Sequence, residues 1–243
     1  MSQVAAFFDI DGTLYRDNLQ TELFKKLIRY GIIDPSDWHN GLEPYYKRWD
    51  NRVGQYDDYL ENMSLIYCRS IKGLQRSVLE YIAKQVIDEK GGRVYTYTRN
   101  RILWHKEQGH KVITISGSPI ELVNQISQRY EFDDFRGTNY ITDKNDEYTG
   151  ELNPLWDSMH KQLALNEIVK KYDLDLQQCY AYGDTRGDLS MFTQAGFPTC
   201  INPTKELISS IKSDISLREK INIIIERKDV IYKINLNSID LIN

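Results

Sequence analysis

Residues 4–8, Val-Ala-Ala-Phe-Phe, form an unbroken apolar run that stops at Asp9-Ile10-Asp11-Gly12-Thr13. A strand with one face in water alternates apolar and polar residues, so a continuous run marks a strand covered on both faces. That is the condition of a parallel sheet held between helices. Three later runs repeat the pattern: Val112-Ile113-Thr114-Ile115, entered through Gln108-Gly109-His110; Cys179-Tyr180-Ala181-Tyr182, ending at Gly183; and Pro198-Thr199-Cys200-Ile201. Helical spacing lies between them, in Ile120, Val123 and Ile126 and in Leu165, Ile168, Val169 and Tyr172. Strands alternating with helices predict an α/β fold with a doubly wound parallel sheet.

One stretch breaks this rhythm. Residues 16–90 contain no convincing strand but carry three helical stripes: Leu19, Leu23 and Leu27, stopping at Gly31; Tyr59, Leu60, Met63, Ile66 and Tyr67; and Leu74, Val78 and Ile82. The expected organisation is a core of residues 1–15 and 93–243 with an all-helical insert, residues 16–92, returning near Gly91-Gly92. In the tail, Ile221–Glu226 and Val230–Leu236 are rich in β-formers on either side of Arg227-Lys228-Asp229, which predicts a C-terminal hairpin within residues 221–236.

Composition excludes some classes. Hydrophobic residues make up 41% and charged residues 27% of the 243, enough to build a core. A net charge of −4 supplies no basic field for nucleic acid. Cys68, Cys179 and Cys200 are too few and too scattered for a disulfide framework or a zinc site, which favours a reducing cytoplasm. The start MSQVAAFFDID does not read as a signal peptide, and no window approaches a membrane span, so no membrane partner is expected. Oligomeric state is not legible.

Ligands of open α/β sheets bind beyond the carboxyl ends of the strands, and the chemistry-bearing residues cluster there. Asp9 and Asp11 follow the first run, and a divalent cation would offset their repulsion; a simple turn is the competing explanation. Gly183-Asp184-Thr185-Arg186-Gly187-Asp188 places two more carboxylates at another strand end, with Asp188 alternatively capping the next helix. After Val112–Ile115 comes Ser116-Gly117-Ser118-Pro119, in which Ser118 suits an N-cap and Pro119 the first helical position, a start that favours phosphate. Capping does not account for the Ser116 hydroxyl. Lys161 opens the helix of Leu165 and Ile168 and is the best-placed cation, since Lys111 starts its strand and Lys170 and Lys171 lie at the helix's far end.

Taken in order, these pieces resemble the four motifs of the haloacid dehalogenase superfamily, in its phosphatase branch, over residues 4–207. Ser116–Pro119, Tyr148-Thr149-Gly150 and Lys161–Leu165 are similar to the subgroup that contains phosphoserine phosphatase, in which a helical cap follows the first motif. The resemblance implies a Rossmann-like core and a phosphohydrolase acting on a small phosphorylated metabolite. In it Asp9 is the nucleophile and Asp11 the acid/base. Mg²⁺ is held by the Asp9 side chain, the Asp11 carbonyl and Asp184, while Asp188 holds a metal-bound water or Lys161. Lys161, Ser116 and the Gly117 N–H serve the phosphoryl group, and Thr13 positions Asp9 or the phosphate.

A dehalogenase would have no use for Asp11 as acid/base. A phosphotransferase or phosphomutase would share the Asp9 chemistry, and a non-catalytic phosphate-binding module is a further alternative. Phosphoserine phosphatases carry Asp-x-Asp-Ser-Thr and a glutamate nine residues after the nucleophile, where this chain has Gly12 and Asn18. Without that charge phosphoserine is not the expected substrate. Asn18 either hydrogen-bonds an uncharged leaving group or caps the helix of Leu19. His39, His105, His110 and His160 share no metal spacing, and Trp38, Tyr45, Tyr46 and Trp49 are expected in the core of the insert rather than on substrate.

Overall fold

The structure is a computed structural model describing residues 3–241, so residues 1–2 and 242–243 of the expected core lie outside the described residues. Among the described residues, eight strands form one sheet: β1 (Ala5–Phe8), β2 (Lys111–Pro119), β3 (Asp134–Thr142), β4 (Tyr148–Asn153), β5 (Tyr180–Gly183), β6 (Phe197–Ile201), β7 (Asn222–Arg227) and β8 (Val230–Ile234). Their order is β4-β3-β2-β1-β5-β6-β7-β8, parallel from β3 to β7 with an antiparallel strand at each edge. β1 is flanked by β2 on one side and β5 on the other, so a topological switch point lies beyond its carboxyl end.

Among the described residues, ten α-helices accompany the sheet: α1 (Leu19–Arg29), α2 (Glu43–Asp50), α3 (Tyr56–Ser70), α4 (Arg76–Lys90), α5 (Thr96–Glu107), α6 (Ile120–Tyr130), α7 (Ser158–Tyr172), α8 (Leu189–Gln194), α9 (Lys205–Ser213) and α10 (Ile215–Lys220). A π-helical turn, Asp37–Leu42, precedes α2. The period-two geometry of the strands explains the continuous apolar runs. Ala6, Phe8, Val112 and Tyr182 pack on one face, and Ala5, Phe7, Ile113 and Ala181 pack on the other against Leu165, Ile168 and Leu207.

The buried faces of α1, α3 and α4 close on one another and on the first face, so Leu23, Leu27, Met63, Tyr67, Leu79 and Ile82 share a core with Phe8. Of the expected third stripe, Leu74 precedes α4 and Val78 is only partly buried; the helix buries Leu79, Ile82 and Val86 instead. The segments leaving and re-entering the sheet region pair with each other: Arg16 N–H donates to the Arg93 carbonyl (2.9 Å) and Tyr95 N–H to that of Leu14 (2.9 Å). Trp38, Tyr46 and Trp49 pack against Tyr59 or one another inside this helical segment, whereas Tyr45 is exposed and apart from them.

Several local expectations change. β2 runs on to Pro119 through an irregularity in its pairing with β3, so Ser118 lies in a strand and caps no helix; Pro119 itself is the residue before α6. The β3–β4 extension was not expected, because β3 is only half-buried and shows neither a clean alternation nor a continuous apolar run. The tail does form a hairpin, β7–β8, with Ile225 opposite Tyr232. Its Glu226 carboxylate accepts the Thr96 and Tyr97 N–H groups (2.8 Å each), satisfying two orphan donors at the start of α5.

Candidate active site

The catalytic candidates converge at the carboxyl ends of β1, β2 and β5. Asp9 leaves β1 with its N–H on the Tyr182 carbonyl (3.0 Å), which ties it to the neighbouring strand. The chain then turns tightly, with the N–H groups of Leu14 and Tyr15 both on the Ile10 carbonyl (2.8 Å each). Gly12 allows this turn with φ of +78°, and a Cβ there would stand 2.0 Å from Asp184 Oδ2.

Lys161 lies in the first turn of α7, 3% exposed, and donates to Asp9 Oδ1 (2.8 Å) and Asp188 Oδ1 (2.7 Å). It is therefore a buried bridging cation and not a solvated lysine. Burial opposes its charge, but Asp188 and Asp9 outweigh that and raise its pKa. Asp188 makes no side-chain cap of α8. Its Oδ2 instead accepts the N–H groups of Asp184 (3.0 Å) and Thr185 (3.1 Å), folding the loop after β5 onto itself.

Asp9, Asp184 and Asp188 each bring a carboxylate oxygen within 4.8 Å of the others. Burial, then the charges of Asp9 and Asp188, push Asp184 well above the usual carboxylate range. Burial likewise pushes Asp9 up to about 7, Lys161 opposing it and Asp188 and Asp11 adding to it. Three buried carboxylates facing one ammonium group leave excess negative charge, which is the condition that a hard divalent cation relieves. The Asp11 side chain stands outside this cluster. Its Oδ1 accepts the Leu19 N–H (2.7 Å) and its Oδ2 the Ser118 hydroxyl (2.5 Å). Burial raises Asp11 to about 6 in spite of those two donors.

Other expected residues have partners that sequence did not indicate. The Thr13 hydroxyl, fully buried, donates to Asp184 Oδ1 (2.9 Å) and so positions that carboxylate rather than Asp9. Ser116 is fully buried, and its Oγ accepts the Ser118 N–H (3.2 Å). Gly117 lets the Trp156 segment approach, since a Cβ there would lie 2.9 Å from Trp156 Cβ. Asn18 caps α1 through the Thr21 N–H (2.8 Å) and also lines the cleft. Lys111 pairs with Asp133 and Lys171 with Asp134, both away from the cleft, and His160 holds Asp157 (2.6 Å). His105 is buried on Tyr182 and His110 and belongs to the core.

Gln20, Tyr56, Leu60 and Ser64 also line the cleft and were not anticipated. Two of them are polar residues on the buried faces of amphipathic helices, Gln20 in α1 and Ser64 in α3.

Fold and site together define a doubly wound α/β enzyme in which buried carboxylates gather at a topological switch point. The chain belongs to the haloacid dehalogenase-like hydrolases, the family that matches residues 6–193. It is similar to the inhibition of morphological differentiation protein of Streptomyces azureus, 26% identical over 85% of this chain and 74% of that one. It is also similar to a probable phosphatase of Mycobacterium tuberculosis, 24% identical over 90% of this chain and 79% of that one. A phosphoserine phosphatase solved as a phospho-aspartyl intermediate analogue shares the fold, with a TM-score of 0.62 and 21% identity over 94% of this chain and 96% of that one.

Proposed function

We propose that this hydrolase is a phosphatase that cleaves the phosphate monoester of a small metabolite through an aspartyl-phosphate on Asp9. The observation that carries this is the meeting of Asp9, Asp184, Asp188 and Lys161 beyond the end of β1. An Asp9 oxygen attacks phosphorus and the bond to the leaving oxygen breaks. Asp11 gives that oxygen its proton, for which a carboxyl raised to about 6 is suited. Water then attacks the phosphorus, Asp11 takes the water's proton, and inorganic phosphate departs with the Asp9 carboxylate restored. Lys161 offsets charge on the transferring group, and Ser116 with the Gly117 N–H supplies further donors.

The crowded carboxylates fit Mg²⁺, which Asp9, Asp184 and the Asp11 carbonyl would hold. Bound there, it supplies positive charge beside the phosphoryl oxygens. Asp188 acts through Lys161 and the loop it folds. The helical segment, residues 16–92, is proposed as a cap that encloses the leaving group. Three free, buried cysteines agree with a reducing cytoplasm. Among the described residues, no helix is long and apolar enough to cross a membrane.

The test is phosphate release from p-nitrophenyl phosphate with Mg²⁺. Asp9→Asn and EDTA should each abolish it, and added Mg²⁺ should restore the chelated enzyme. Asp11→Asn should let labelled phosphoenzyme accumulate, because the water loses its base. Turnover by Asp9→Asn, or indifference to EDTA, would sink the mechanism. Transfer to added alcohols in place of water would reassign the enzyme as a phosphotransferase.

A further inference from the structure

We infer that the leaving group of the substrate is an uncharged alcohol bearing hydroxyl or amide groups, and not an amino or carboxylic acid. The inference rests on the phosphatase reading above only for the position of the leaving group, which must lie beside Asp11. From there the cleft continues along the first turn of α1 and the inner side of α3, lined by Asn18, Gln20, Tyr56, Leu60 and Ser64. Apart from the apolar Leu60, these side chains are neutral hydrogen-bonding groups.

Each is held in place. Asn18 Oδ1 is occupied by the Thr21 N–H (2.8 Å) and hydroxyl (3.1 Å), which leaves its amide N–H₂ for the cleft and for the Tyr56 hydroxyl. Gln20 donates to the Tyr140 hydroxyl (3.0 Å), which also meets Ser64. The charged residues of the cleft are Asp9, Asp11 and Lys161. Lys161 is committed to Asp9 and Asp188, and Asp11 to the Leu19 N–H and Ser118. A carboxylate on the leaving group would therefore lose its water with no free cation in the cleft to meet it, and an ammonium would have beside it Asp11, which must carry a proton to act as the acid, so either charge is costly in this buried site. Hydroxyls, by contrast, match the amide and hydroxyl partners on this wall. The cleft is narrow, with a volume of about 40 Å³, so an entering group must touch the wall and cannot pass through a layer of water.

Binding and turnover are to be measured separately. Calorimetry with Asp9→Asn and Mg²⁺ compares glycerol 1-phosphate with phosphoethanolamine and phosphoglycolate. The neutral ester should bind at least tenfold tighter than either charged one. Gln20→Glu, built on Asp9→Asn, should raise phosphoethanolamine affinity about tenfold relative to glycerol 1-phosphate. A charged ester that binds as tightly as the neutral one, or a ratio unmoved by Gln20→Glu, overturns the inference. So does the absence of binding by all three. The native chain assayed with p-nitrophenyl phosphate tests the phosphatase reading on its own. The expected binding order without phosphate release would support the neutral wall and remove the phosphatase reading. Phosphate release without the binding order would do the reverse.

Discussion

Lys161 and Asp188 meet at 2.7 Å with both side chains buried, and through that contact α7 holds the loop that follows β5. Asp188→Ala leaves Lys161 with Asp9 but strips the Asp184 and Thr185 N–H groups of their acceptor. It should destabilise the chain by about 1–3 kcal/mol, the cost of buried donors left unpaired. Urea denaturation of the two proteins measures this, and a loss within experimental error would show that these N–H groups are satisfied without Asp188.

Ser118 donates to Asp11 Oδ2 and so orients the proposed acid. Ser118→Ala should slow alkyl phosphates, whose leaving oxygen needs a proton, about tenfold. p-Nitrophenyl phosphate, with a good leaving group, should lose clearly less. Parallel kcat values for the two ester types check the difference, and equal losses would separate Ser118 from proton transfer.

Gly12 combines a left-handed backbone with the absence of a Cβ beside Asp184. Gly12→Ala should cost about 1–2 kcal/mol from the backbone and displace the Asp184 carboxylate. The Mg²⁺ concentration for half-maximal activity should rise about tenfold. Titrating EDTA-treated enzyme with Mg²⁺ checks this, and an unchanged midpoint would take Asp184 out of the metal set.

His105 makes stability depend on pH. Burial, reinforced by the nearby Arg101 and His110, lowers its pKa from 6.5 to about 3. The unfolded chain therefore takes up a proton near 6.5 while the folded one does not until about 3. The stability contributed by keeping His105 neutral is fully present above 6.5 and is lost as pH drops through that window. The gap between urea midpoints at pH 7.5 and 5.5 should narrow in His105→Gln. An equal gap in both proteins would assign the acid sensitivity elsewhere.

Glu226 carries the tail's contribution to the core. Glu226→Ala should leave the Thr96 and Tyr97 N–H groups without their carboxylate and cost about 1–2 kcal/mol. Thermal unfolding would detect it, and an unchanged midpoint would mean that water replaces the carboxylate fully.

The parts of the fold that sequence made legible are those with local causes. The apolar runs at Val4–Phe8 and Val112–Ile115 are covered strands, because side-chain direction alternates with every residue whatever the neighbours are. The stripes of α1, α3 and α4 are helices for the corresponding reason at period 3.6. The acidic pairs after β1 and β5 were visible as residue types out of place at strand ends. β3 and its edge neighbour β4 were not visible, since their half-buried faces leave no periodic signature.

By itself the sequence determined which residues carry charge and hydroxyl groups and at which strand ends they fall. Their partners were decided by the tertiary structure. Thr13 serves Asp184, Ser118 serves Asp11 instead of a helix end, Lys161 bridges Asp9 and Asp188, and Glu226 caps α5. These contacts join residues far apart in the chain, from different strands and helices. Which atoms then face one another depends on the order of strands in the sheet and on the way each loop folds back, and neither is encoded in local spacing.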